Sequence, residues 1–154
     1  MSNNKFKIFL SGGITGLNDE DCKKWREYIV EYFSNWCFNK ADCMIVNQMK
    51  HFDPNKETSD LLEKEAMRYN LHHLRTSNVI IVNLNKLESI GTAQELMLAY
   101  ELRIPIIGFI KADKKDKIHP WIQIEVTKLF TYTEDIENVL VDCMDYVYNY
   151  YLNA

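Results

Sequence analysis

The stretch NVIIVNLNKLESIGTAQELMLAYELRIPIIGFI, residues 78–110, has the pattern of a strand, a helix and a second strand. Its outer segments, NVIIVNL (78–84) and IPIIGFI (104–110), are short apolar runs of the length that buried strands have. The middle segment, TAQELMLAYEL (92–102), is predicted to be a helix. Two strands joined by a helix usually pair in parallel, so this unit favours a parallel sheet covered by helices.

The same alternation continues toward both ends of the chain. Further strands are predicted at KFKIFL (5–10), CMIVNQ (43–48) and KLFTYT (128–133). Further helices are predicted from Asn18 or Asp19 to about Phe38, over residues 61–77, and from Thr133 to about Tyr150. The charged segment 111–120 is predicted to be a solvated loop.

The number of alternating elements limits the topology. Right-handed crossovers and five parallel strands leave the order 2-1-3-4-5 as the simplest arrangement. The predicted fold class is therefore α/β: a single flavodoxin-like doubly wound domain over residues 1–154, with a five-stranded parallel sheet and helices on both faces.

Composition excludes several kinds of protein. The net charge of −4 does not favour nucleic acid as a partner. No apolar run approaches the roughly 18 residues that a membrane span needs, and the start MSNNKFKIFL lacks the features of a signal peptide. The four cysteines form no CxxC pair, which predicts reduced thiols in a cytoplasmic protein without a metal site.

The predicted topology places the ligand site beyond the carboxyl ends of strands 1 and 3. The loop after strand 1, SGGITG (11–16), contains three glycines that permit close approach of the backbone to a ligand. It matches neither the dinucleotide fingerprint nor the P-loop, and glycines here are equally typical of plain turns.

The loop after strand 3 ends in Ser89, Gly91 and Thr92, just before a helix. Free N–H groups, a hydroxyl and the positive end of the helix dipole favour a phosphate or a sugar hydroxyl. The alternative is that Ser89 only caps a turn.

Glu95 has two interpretations. Thr92-x-x-Glu95 matches a capping box, worth about 1 kcal/mol and without any catalytic role. A carboxylate kept ionised by the helix dipole could instead attack the anomeric carbon of a sugar and form a glycosyl-enzyme ester.

The runs SIGTAQELMLAYELRIPI (89–106) and FLSGGI (9–14) resemble the nucleoside 2-deoxyribosyltransferase family, which includes related nucleoside 5′-monophosphate N-glycosidases. HPWI (119–122) and the closing helix fit less specifically. The resemblance implies that Glu95 is the nucleophile, which releases the base and holds 2-deoxyribose until a second base or water takes it. It implies no cofactor, a nucleoside or nucleotide substrate, and a homodimer or larger homo-oligomer, for which the tyrosines of residues 146–151 are candidate contacts.

Two positions depart from the family pattern, and a third differs between the transferases and the hydrolases of the family. Asn70 and Asn78 stand where family members commonly carry aspartate, and an amide binds a base but transfers no proton. Asp53, Glu65 or a substrate group would then supply the proton. Ser89 stands where transferases of free nucleosides commonly have aspartate and the monophosphate hydrolases have serine.

The expected function is therefore a nucleoside 2-deoxyribosyltransferase. The alternatives are a nucleoside 5′-monophosphate N-glycosidase and a non-catalytic nucleotide-binding protein. The candidate site consists of Glu95 as the catalytic residue and a set of substrate-binding residues: Ser11, Gly12, Gly13, Ile14, Thr15, Asp53, Asn70, Ser89, Gly91 and Thr92.

Overall fold

Five parallel strands form one sheet in the computed structural model, which describes residues 5–14, 18, 20–35, 43–50 and 60–152. The strands are β1 (Phe6–Gly12), β2 (Cys43–Val46), β3 (Val79–Asn83), β4 (Ile106–Lys111) and β5 (Lys128–Tyr132). Their order is β2-β1-β3-β4-β5, and every neighbouring pair is parallel. The predicted flavodoxin-like doubly wound fold is confirmed.

The helices are α1 (Trp25–Asn35), α2 (Asp60–Arg75), α3 (Ile90–Glu101), α4 (Pro120–Glu125) and α5 (Ile136–Val147). One wider π-helical turn, Glu20–Lys24, leads into α1, and another, Tyr148–Leu152, follows α5. Asn18 caps the first of these turns, because its Oδ1 accepts a hydrogen bond from the backbone N–H of Asp21 at 2.8 Å. Asn18 is one of the two caps that the sequence predicted.

The segment between β4 and β5 and the start of the last helix differ from the predictions. The segment 111–120 is not a plain loop, since it contains the 3₁₀ helix Ala112–Lys117 and the first residue of α4. The last helix is capped by Asp135 and not by Thr133: the Asp135 carboxylate accepts a hydrogen bond from the N–H of Glu137 at 2.9 Å.

The sheet separates two hydrophobic cores. Because successive side chains of a strand point to opposite faces, Ile8 and Leu10 pack with α1 and α5, whereas Phe9 packs with α2 and α3. The middle strands are buried on both faces. β1 and β3 are aligned with Ser11 opposite Val82 and Gly12 opposite Asn83, so the loops that follow them start side by side.

The tyrosines near the end of the chain pack partly on the body of the protein. The Tyr146 ring lies edge-on to Phe130, with centroids 5.8 Å apart, and also contacts Tyr150 and Tyr151. Tyr150 remains 63% exposed. Within the described residues, no helix has both the length and the apolar character needed to cross a membrane.

Candidate active site

A cleft of about 510 Å³ opens at the carboxyl ends of β1 and β3, between α2 and α3. This is the switch point of the sheet, where the topology predicts a ligand. The volume is in the range of small-molecule sites. The described lining residues are Gly12, Ile14, Gln48, Glu63, Ala66, Met67, Asn70, Leu71, Lys86, Glu88, Ser89, Ile90, Gly91, Thr92, Gln94 and Glu95.

The start of α3 forms one side of this cleft. Ser89 is its N-cap: the hydroxyl oxygen accepts a hydrogen bond from the N–H of Thr92 at 3.4 Å, and the hydroxyl donates to Thr92 Oγ1 at 2.8 Å. The helix therefore begins earlier than the predicted Thr92, and the predicted Thr92–Glu95 capping box is wrong. Glu95 lies in the second turn of α3, where it has no role as a cap.

The Glu95 side chain is directed at β1. Ser11, fully buried at the end of that strand, donates its hydroxyl to Glu95 Oε1 at 3.3 Å. Glu95 is itself 9% exposed, and its Oε2 has no hydrogen-bond partner among the described residues. One carboxylate oxygen is thus fixed by the protein, and the other belongs to a side chain that lines the cleft.

The charge state of Glu95 differs from the sequence-based prediction. Burial raises the pKa of Glu95 to about 7, although the Ser11 hydrogen bond and the positive charge of Arg26 both lower it. Desolvation of a carboxylate outweighs these favourable contacts. The dipole of α3 was predicted to keep Glu95 ionised at neutral pH, whereas burial of the side chain opposes ionisation.

Arg26 was not predicted from the sequence as a site residue. It is fully buried on α1, where Nη2 donates to the carbonyl of Gly12 at 3.1 Å and Nη1 donates to the carbonyl of Cys22. Its guanidinium lies 4.5 Å from the centre of the Trp25 ring, a cation–π contact. Burial lowers the pKa of Arg26 to about 10 and the charge of Glu95 raises it, so Arg26 is a cation at neutral pH.

One signal in the sequence indicates the position of Arg26. Cys22, Ile29 and Phe33 are buried at helical spacing, and Arg26 occupies the same stripe. A charged residue on an apolar stripe needs a partner in the core, but the sequence does not say which one.

The glycine loop after β1 is packed tightly against its surroundings. A Cβ on Gly12 would lie 3.1 Å from the Cβ of Asn83, and a Cβ on Gly13 would lie 2.4 Å from Cδ of Lys86. Atoms of neighbouring residues occupy the space beside both glycines, so a larger residue at Gly13 would have to displace the Lys86 side chain. Gly12 and Ile14 line the cleft, whereas Gly13 lines a neighbouring cleft of about 880 Å³ beside α1 and α5.

The remaining predicted residues divide into three groups. Asn70 lines the cleft, and its buried Oδ1 has no hydrogen-bond partner among the described residues. Gly91 also lines it, and a Cβ there would have no atom of the described residues within 4 Å, which leaves room for a ligand at the start of α3. Thr15 and Asp53 lie outside the described residues. Glu65, an alternative proton donor, is not among the lining residues, although Glu63 is.

Comparison with known proteins gives a fold match. No family model and no curated protein sequence matches the chain. A solved 2-deoxyribosyltransferase from Bacillus psychrosaccharolyticus superposes with a TM-score of 0.63 at 19% identity, over 87% of this chain and 90% of that chain. The chain has the fold of that transferase.

A conserved protein from Enterococcus faecalis V583 has the same fold. It superposes with a TM-score of 0.58 at 15% identity, over 92% of this chain and 99% of that chain. At such identities the likeness concerns the fold. It agrees with the family resemblance that the motifs around Ser11 and Glu95 predicted.

Proposed function

We propose that the protein cleaves the N-glycosidic bond of a 2′-deoxynucleoside and passes the sugar to another base. The observation that carries the proposal is the Glu95 carboxylate, on a side chain that lines the cleft at the switch point: Oε1 accepts from Ser11, and the buried Oε2 has no hydrogen-bond partner among the described residues. The fold similarity to a 2-deoxyribosyltransferase supports this class of reaction.

The reaction has two displacements at the sugar. In the first, a carboxylate oxygen of Glu95 attacks C1′, the C1′–N bond breaks, and its electron pair leaves with the base. In the second, a nitrogen of the incoming base attacks C1′ and gives up its proton to water, and the electron pair of the C1′–O bond returns to Glu95. Two inversions retain the configuration at C1′, and neither step calls for a metal or a redox cofactor.

Asn70 is the polar group proposed to bind the base. Its buried Oδ1 lacks a partner among the described residues, and the apolar side chains Met67 and Leu71 line the same wall of the cleft. An amide accepts and donates hydrogen bonds along a base edge but does not transfer a proton. The leaving base therefore takes its proton from water or from another ionisable group.

A nucleoside 5′-monophosphate N-glycosidase is the second candidate. Ser89 and the open position beside Gly91 favour it, because a hydroxyl and the N–H groups of a helix start accommodate a phosphate. In that reaction water replaces the second base at C1′. A nucleotide-binding protein without turnover is the third candidate, suggested by the amide at Asn70.

One assay distinguishes the three candidates. Deoxyinosine is incubated with and without adenine, and the bases and nucleosides are separated by chromatography. Deoxyadenosine formed only with adenine indicates the transferase, and hypoxanthine released without an acceptor indicates a hydrolase. Deoxyinosine 5′-monophosphate is tested in parallel. Saturable binding without any turnover indicates a nucleotide-binding protein.

The role of Glu95 is tested in the same assay. Glu95→Gln and Glu95→Ala are expected to lower turnover by at least about 10³-fold, because neither side chain can form the ester. Glu101→Gln, an exposed glutamate on the same helix, is the matched control and is expected to retain activity. A 2-fluoro-arabinosyl nucleoside is expected to leave its sugar on the peptide that contains Glu95. Full activity of Glu95→Ala would rule the mechanism out.

A further inference from the structure

We propose that Arg26 is the positioning residue of this site: it fixes the end of β1 through the Gly12 carbonyl and supplies the positive charge that favours Glu95 as a free carboxylate. The inference rests on the proposed function in one respect, that Glu95 is the nucleophile. The interaction between Arg26 and Glu95 itself is independent of the reaction.

The surroundings of Arg26 identify Glu95 as its counter-charge. A fully buried guanidinium requires hydrogen bonds and a nearby negative charge. Its described hydrogen bonds go to the backbone carbonyls of Gly12 and Cys22, which have no net charge, and Trp25 contributes only a ring face. Glu95 is a buried carboxyl group whose hydrogen-bond donor, Ser11, adjoins Gly12 on β1, and its negative charge raises the pKa of Arg26.

Two consecutive residues of β1 connect the pair. Ser11 donates its hydroxyl to Glu95, and the carbonyl of the next residue, Gly12, accepts from Arg26. The arginine on α1 and the glutamate on α3 therefore hold the same strand end from opposite faces of the sheet. Arginine suits this position better than lysine, because its planar fork reaches two carbonyls and stacks on Trp25 together.

The charge of Arg26 affects both displacements. When Glu95 attacks C1′, its carboxylate becomes a neutral ester and Arg26 is left as a buried cation without its anion. When the C1′–O bond breaks, the electron pair returns to Glu95 and restores the opposite charges. Arg26 therefore stabilises the free carboxylate relative to the ester, just as it does relative to the protonated acid.

The other groups around Glu95 do not replace Arg26. Ser11 on β1 is neutral, as are Asn70 on α2 and Gln94 on α3. Among the described residues, the charged side chains that line the same cleft are Lys86 and Glu88 from the loop after β3 and Glu63 from α2. Within the described part of the chain, Ser11 and Arg26 are the groups that lower the pKa of Glu95.

The first test measures the carboxyl group without any substrate. Protein containing ¹³C-carboxyl glutamate is titrated by NMR, and the Glu95 resonance is assigned by its loss in Glu95→Gln. Arg26→Met is expected to raise the pKa of Glu95 by about one unit or more, since an opposite charge at this range shifts a carboxyl by about 1–3 units. Arg26→Lys is expected to stay within about half a unit of the wild type.

Two further variants complete the test. Arg75→Met removes an exposed arginine at the end of α2 and is expected to leave the titration unchanged. If Arg26→Met does not fold, Arg26→Gln takes its place, because its amide still donates to the Gly12 carbonyl. An unchanged Glu95 titration in a folded Arg26→Met or Arg26→Gln protein overturns the inference.

The second test measures the ester. The 2-fluoro-arabinosyl adduct on Glu95 is expected to persist at least about tenfold longer in Arg26→Met than in the wild type at pH 8, equivalent to about 1.4 kcal/mol. An equal or shorter lifetime contradicts the effect on the second displacement. If the NMR shift is seen but the wild type forms no adduct and turns over no nucleoside, the proposed function fails while the Arg26–Glu95 interaction stands.

Discussion

Glu95 is the residue at which folding and the proposed chemistry make opposing demands. A nucleophilic carboxylate has to be ionised, but burial penalises the charge and raises its pKa to about 7. Ser11 and Arg26 recover part of that penalty. Turnover through Glu95 is consequently expected to increase with pH up to about 7 and then to level off.

The raised pKa of Glu95 predicts how stability depends on pH. Between pH 4.5, the ordinary pKa of a glutamate, and about pH 7, the folded state binds more protons at Glu95 than the unfolded state does. The free energy of unfolding therefore falls as pH rises through this range, by about 3 kcal/mol at most for this one group. Glu95→Gln does not titrate, so it is expected to gain stability relative to wild type as pH rises.

Urea unfolding at pH 5 and pH 8 measures this difference. The free energy of unfolding of Glu95→Gln minus that of wild type should be more positive at pH 8 by about 1–3 kcal/mol. Glu101→Gln, which removes an exposed carboxylate from the same helix, is the control and should show no such change. A difference that is the same at both pH values would mean that Glu95 titrates alike in the folded and unfolded states.

At the scale of elements, the start of α3 shows that a local sequence pattern does not decide which of two residues caps a helix. Ser89 and Thr92 are both good N-caps, and Thr92-x-x-Glu95 has the spacing of a capping box. In the folded chain Ser89 is the cap, and Glu95 accepts a hydrogen bond from Ser11, 84 residues away. That contact depends on the packing of α3 against β1, and the spacing of residues along the sequence does not predict this packing.

Other elements were predictable to different degrees. The five strands were predicted because each is a short apolar run, and the helix–strand alternation left few possible orders. Helix α4 was missed because Pro120–Glu125 is too short to show helical periodicity and adjoins a charged segment. The switch point followed from the strand order, whereas the role of Arg26 required the positions of α1 and α3.

Substitution of the α3 cap tests the specificity for a 5′-phosphate. Ser89→Asp is expected to lower the ratio of kcat/KM for deoxyguanosine 5′-monophosphate to that for deoxyguanosine by at least about tenfold, or 1.4 kcal/mol. An aspartate repels the phosphate but still caps the helix, so the fold is retained. Ser89→Asn, a neutral cap of similar size, is the control and should leave the ratio within about threefold. If wild type rejects the monophosphate and Ser89→Asp changes nothing, Ser89 serves as a cap alone.

For the molecule as a whole, assembly remains a prediction. Of the four tyrosines proposed as subunit contacts, Tyr146 packs on Phe130, whereas Tyr150 is largely exposed. Closed two-fold symmetry is the commonest arrangement of soluble oligomers, and a homodimer or larger homo-oligomer is the expectation for this chain. Light scattering at micromolar concentration measures its mass directly.

The two cores predict that residues 1–154 unfold as one domain. Leu96 lies on α3 and is fully buried against one face of the sheet. Trp25 is buried on the opposite face, edge-on to Phe109 with ring centroids 5.4 Å apart. Because both cores share β1, β3 and β4, a substitution that destabilises the core on one face of the sheet should also destabilise the core on the other face. Leu96→Ala is expected to lower the free energy of unfolding by about 2–5 kcal/mol, the usual cost of a cavity left by a buried leucine.

Urea unfolding followed by two spectroscopic probes tests whether the two cores unfold together. Trp25 is isolated as the single tryptophan by Trp36→Phe and Trp121→Phe, and its fluorescence is compared with far-UV circular dichroism. In one domain, Leu96→Ala shifts the Trp25 transition and the helical transition equally, although Trp25 lies on the other side of the sheet. Leu102→Ala, at a leucine that is 46% exposed, should change stability by less than about 0.5 kcal/mol. If Leu96→Ala leaves the Trp25 transition unchanged, the two faces of the sheet unfold independently and the one-domain prediction is wrong.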